Sequence, residues 1–217
     1  MLGSLLIAVC PKILALIVGG YYFRVLTPPY RLIFFVTLLA GLVEIAGVLI
    51  YKVFHVPNAW IFNIYMIIEF SVYCIAAMHF LPNGVRKYII LAMLTGWSIW
   101  IYQIVRHSIV EFSVFSLVSG SLIIDVLYIS ILVLNTMHSS SALSKNPLFW
   151  LSISVVLYYV CDIPYMTVLT DTMNNYMHKK INMPSLDINN ILNCITHLLV
   201  AFSFLLIGKQ KDIAISK

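Results

Sequence analysis

Seven apolar runs, each about twenty residues long, follow one another with only short polar breaks between them. In lipid a backbone must satisfy its own amides, and a helix needs ~20 apolar residues to cross. The first run extends from about Leu5 to Leu26 and ends at Arg24, Thr27, Pro28 and Pro29. The second covers Tyr30 to Tyr51, the third Ala59 to Phe80 and the fourth Lys87 to Val105. The fifth covers Phe112 to Met137, the sixth starts at Pro147 and reaches Thr170, and the seventh covers Leu186 to Ile207. The expected fold is all-α: a polytopic integral membrane bundle of seven transmembrane helices, one domain over residues 1–217. Asp171 to Ser185 is the one long connection, with room for a cap or lid. No internal repeat is visible, which argues against an inverted-repeat carrier.

Composition excludes a water-soluble globule. Only 10% of the residues are charged, against about 25% in an average soluble domain. The net charge of +5 does not point to nucleic acid, because the basic residues are scattered between apolar runs. Cys10, Cys74, Cys161 and Cys194 fall inside those runs without CxxC spacing, and read as small hydrophobes. The start has no basic segment before its apolar stretch, and Val9 fits poorly in a lipoprotein-type box ending at Cys10. It reads as the opening of the first helix.

Lysine and arginine set the expected orientation. With the N-terminus outside, the inner side holds Arg24, Arg31, Arg86, Lys87, Lys145, Lys209, Lys211 and Lys217. The outer side holds Lys52, Arg106, Lys179 and Lys180. Eight against four predicts N-out, C-in. Tyr21, Tyr30, Tyr51, Trp60, Tyr88 and Trp150 fall near span ends, as an interfacial aromatic belt requires.

Five charged side chains lie inside the spans: Lys12, Glu44, Glu69, Asp125 and Asp162. Each costs at least ~2.5 kcal/mol near a bilayer centre, so such residues usually face a bundle interior. On the N-out topology they fall between mid-membrane and the outer leaflet, with Asn190, Asn193 and His197 on one face of the seventh helix. Tyr65, Glu69 and Tyr73 form a stripe at helical spacing, and Ser121 and Tyr158 each lie four residues before an aspartate. Gly41 and Gly47 flank Glu44 and predict close helix approach there. The candidate ligand, proton or ion site is therefore Glu44, Glu69, Asp125, Asp162, His197, Asn193, Tyr65 and Lys12. Each residue also has a plainer role. Lys12 either snorkels to the surface or pairs with an inner carboxylate. The carboxyls and asparagines also serve as hydrogen-bonding glue, and His197 as a satisfied core histidine.

Several chemistries lack their residues. The seventh helix has no lysine for a retinal Schiff base, and no HExxH, G-x-S-x-G or TVGYG occurs. A metal-dependent lipid hydrolase of the ceramidase-like kind would draw on His197, Asp162 and Asp125, but one membrane-buried histidine is too few for a His-rich zinc site. Nothing calls for a metal, a cofactor or a catalytic residue.

Asn58-Ala59-Trp60 and the run Asn63-Ile64-Tyr65-Met66-Ile67-Ile68-Glu69-Phe70 form a third-helix pattern. With Gly20-Tyr21-Tyr22 and Glu44, it resembles small, uncharacterised seven-span membrane proteins of Bacteroidota. The chain departs from that group after Asn63, where a histidine near Tyr65 is more usual. The resemblance implies a bacterial inner-membrane protein and no settled activity. Three functions follow in order. The first is a receptor-like module that binds a small molecule or lipid in an outward-facing polar pocket and signals through a cytoplasmic or membrane partner protein. The second is an oligomeric channel or proton-coupled transporter, the chain forming a homo-oligomer. The third is an intramembrane lipid hydrolase, for which no positive signal exists.

Overall fold

The computed structural model describes residues 2–55, 58–138, 142–176 and 185–215. Among them there is no strand, and seven α-helices account for most of these residues. They are α1 (Leu2–Tyr21), α2 (Pro28–Phe54), α3 (Ala59–Phe80), α4 (Arg86–His107), α5 (Val114–His138), α6 (Pro147–Tyr176) and α7 (Ser185–Ile215). Six are long and apolar enough to cross a membrane, and α1 contributes a shorter apolar segment, Val9–Tyr21. Proline starts α2 and α6, where its missing amide costs nothing.

Three helix ends differ from the expectation. The first helix stops at Tyr21, and Tyr22 to Val25 form a turn. The sixth runs on to Tyr176 and the seventh to Ile215, well past their apolar stretches. Helix propagation adds one backbone bond per residue and does not end where lipid ends. The connection expected over Asp171 to Ser185 is thus helix at its start, through Tyr176, and at Ser185. The cap or lid assigned to it falls on residues 177–184, outside the described residues.

Cross-helix contacts fix the directions. Pro147 and Ser154 of α6 face Ser203 and Thr196 of α7, so seven steps forward on one helix are seven back on the other. The same antiparallel register joins α2 to α3 through Gly47–Phe62 and Tyr30–Phe80. By contrast α1 and α7 run parallel, Gly19 meeting Phe204 and Gly208 meeting Tyr22. The bundle is a ring in the order α1, α2, α3, α5, α6, α7, with α4 packed outside against α3 and α5. Gly96 permits that docking, because a Cβ there would lie 2.5 Å from the Phe70 ring. Large apolar side chains such as Phe35, Leu42, Leu91 and Leu94 cover the outside, as a lipid-facing surface requires.

The apolar core occupies the bundle end that holds the start of α2 and the end of α3. There Tyr30 packs edge-on against Phe80 and Phe23 against Phe34, over fully buried Leu151 and Phe204. The other end, which holds the start of α1, is tied differently. Asn63 is 0% exposed. Its amide nitrogen donates to the Ile109 and Glu111 carbonyls, each at 2.7 Å, and its oxygen accepts the Ser113 N–H at 3.1 Å. One asparagine thus fixes the α4–α5 connection to α3.

Candidate functional site

Lys12 follows Pro11 inside α1. It is 3% exposed and forms an ion pair with Glu44 of α2. Of the two roles open to it from sequence, the structure shows the pairing. Only one Glu44 oxygen is engaged, and Oε2 is buried without a partner. Within α3 the Tyr65 hydroxyl donates to Glu69 Oε1 at 2.9 Å, as the four-residue spacing predicts. Tyr73, one turn on, meets Tyr128 and Tyr159 edge-on, with ring centroids 5.7 and 5.6 Å apart.

Asp162 on α6 is 4% exposed, and among the described residues neither a hydrogen bond nor an ion pair reaches its carboxyl. The expected bond from Tyr158 does not form, although Tyr158 stays beside it. On α7 the Nδ1 of His197 lies 2.7 Å from the Asn193 carbonyl oxygen. A carbonyl only accepts, so Nδ1 carries the proton and Nε2 remains for another partner.

These side chains meet at one cavity of about 740 Å³, within the usual range of ~300–1,000 Å³ for small-molecule sites. Lys12, Glu44, Tyr65, Glu69, Asp162, Asn193 and His197 all line it. Every helix of the ring contributes, and α4 does not. The cavity runs from Asn58 and Phe112, at the bundle end that holds the start of α1, inward to Val36, Tyr73 and Val200. Its walls alternate polar groups with apolar ones, notably Ala40, Val43, Phe62 and Leu117. A second space of about 40 Å³ adjoins it, sharing Glu69, Tyr158 and Asp162 and bounded also by Ser121 and Tyr159.

Four expectations need correction. Asp125 is buried, 5% exposed, but lines neither space, so it does not belong to the cluster. Ser121 does not satisfy it: Ser121 Oγ and Asp125 Oδ1 are both buried without partners. Of the two glycines beside Glu44, only Gly47 marks a close approach, its virtual Cβ lying 2.8 Å from Phe62, whereas Gly41 has open space. Asn190 does not reach the cavity.

Sequence reasoning passed over Thr37, Ser154 and Thr196, which also line it. Helical spacing from residues already singled out would have found them. Thr37 lies seven before Glu44, Ser154 eight before Asp162 and Thr196 three after Asn193. Among the described residues no three histidine, cysteine or acidic side chains converge as metal ligands would. The cluster is instead one ion pair plus two further carboxyls in a largely apolar chamber, suited to binding and to holding charge. Compared with protein-family models, characterised proteins and solved structures, the chain finds no match.

Proposed function

We propose that the chain is an integral membrane binding protein whose inter-helix cavity takes a small molecule or a lipid, and whose occupancy is read by a partner protein at the inner face. The observation that carries this reading is the cavity itself: about 740 Å³ lined by six helices, with four charged side chains from four helices and His197 at its wall. A bundle selected only for packing would close such a space, since lost contacts cost free energy in lipid as in water. The distribution of lysine and arginine supports N-out, C-in, which turns the cavity toward the outer leaflet. The Bacteroidota resemblance adds a bacterial inner membrane.

Native mass spectrometry in nanodiscs of host lipids tests the reading. A monomer or dimer carrying a discrete extra mass, lost in Ala40→Phe, is the expected result. A bare higher oligomer of defined size, with ion or proton flux in liposomes, would replace it with the channel or transporter reading. Turnover of a lipid extract, stopped by Asp162→Ala, would replace it with the hydrolase.

A further inference from the structure

We infer that the ligand is a cationic amphiphile, an amine whose ammonium lies between Glu69 and Asp162 and whose apolar body fills the cavity. This rests on the binding reading above and specifies the chemistry of its ligand.

The charge inventory comes first. Lys12 is committed to Glu44, and no other lysine or arginine lines either space among the described residues. Glu69 and Asp162 line the same interior, with the Tyr65 hydroxyl donating to Glu69 and Tyr159 close beside it. An anionic headgroup would meet two carboxyls and no free cation. A cation would supply what both lack.

The unpartnered hydroxyls at the wall of the smaller space are the second observation. That space holds about 40 Å³, enough for one or two atoms of water size. Two oxygens at its wall have no partner: Ser121 Oγ and Tyr159 OH, on residues 1% and 5% exposed. Buried hydroxyls are rarely left unsatisfied, and each such group asks for a ligand or a water. An ammonium has three donors and no acceptor. The two carboxyls and these hydroxyl oxygens offer it acceptors on several sides.

The third observation is the wall between the two spaces. Tyr158 borders both, and Tyr65, Tyr73 and Phe62 line the larger one. Aromatic faces attract a desolvated cation. Beyond them Ala40, Val43, Leu117 and Val200 provide an apolar sleeve for the rest of the molecule.

The probes are octylamine and octan-1-ol, which share an apolar chain and differ in the charged head. Each is titrated against the protein in nanodiscs, and saturable binding is read from the rise in thermal unfolding temperature. Ala40→Phe supplies the background from partition into the bilayer. Octylamine is expected to bind the wild type at least about tenfold more tightly than octanol, the scale of one charge-assisted hydrogen bond. Asp162→Asn should remove that preference while octanol binding stays, and Tyr159→Phe, which keeps the ring, should reduce it. Equal affinity for amine and alcohol would overturn the cationic ligand and leave the binding cavity standing. No saturable binding of either probe, with wild type and Ala40→Phe alike, would overturn both. The wild-type comparison decides the matter even if Asp162→Asn fails to fold.

Discussion

The two ends of this bundle are made from equally apolar helices, yet one is packed and the other is hollow. At the packed end, large rings face one another across helices: Tyr30 against Phe80 and Phe34 near Phe204. At the hollow end the facing residues are Lys12, Glu44, Thr37, Asn193 and His197, with Ala40 and Val43 between them. Short, branched and charged side chains do not interdigitate as rings do. The ion pair and the asparagine at position 63 hold the helices at their spacing instead. Apolar content therefore determines that the helices insert, while the size and polarity of inward residues determine where the bundle closes.

The contrast breaks most visibly if truncation costs the same in both halves. Phe204 is fully buried, and Phe204→Ala should destabilise by about 3 kcal/mol because it opens a new void. Leu117→Ala, which only enlarges an existing cavity, should cost under about 1 kcal/mol. Unfolding by sodium dodecyl sulfate in mixed micelles measures both.

Smaller effects sharpen the picture. Lys12→Ala strands the Glu44 carboxylate and should cost about 2 kcal/mol in the same titration, with Lys12→Met combined with Glu44→Gln recovering most of the loss. Asn63→Ala removes three hydrogen bonds and should cost about 2 kcal/mol, while leaving ligand binding within about threefold once the protein is folded. Glu69→Gln keeps shape and should change stability by under about 1 kcal/mol, yet weaken the adduct seen by native mass spectrometry. Asp125→Asn should leave that adduct unchanged; a loss equal to that of Glu69→Gln would place Asp125 in the site after all.

Much of this architecture is legible in the sequence, for identifiable reasons. Span length and proline position mark the helices, and Tyr65 and Glu69 meet because four residues return to one face. Depth is legible too: Glu44, Glu69 and Asp162 fall within one zone. Rotation is not. Successive residues turn by about 100° around a helix, and α5 presents Ser121 and Ile124, rather than Asp125, to the smaller space. Packing partners are equally hidden. Gly41 and Gly47 look alike beside Glu44, but only Gly47 lies under a ring from α3. Asn63 carries no signal of its own, since its three bonds reach residues at least 46 positions away.

The difference between the two halves is best tested on α7, where Thr196 and Ser203 lie two turns apart and are 3% and 0% exposed. In a background with the four native cysteines replaced, Thr196→Cys and Ser203→Cys are each treated with a small, water-soluble thiol reagent in nanodiscs. The hollow half predicts that Thr196→Cys reacts in the folded protein and Ser203→Cys only on unfolding. Equal reactivity, or protection of both, would contradict the account.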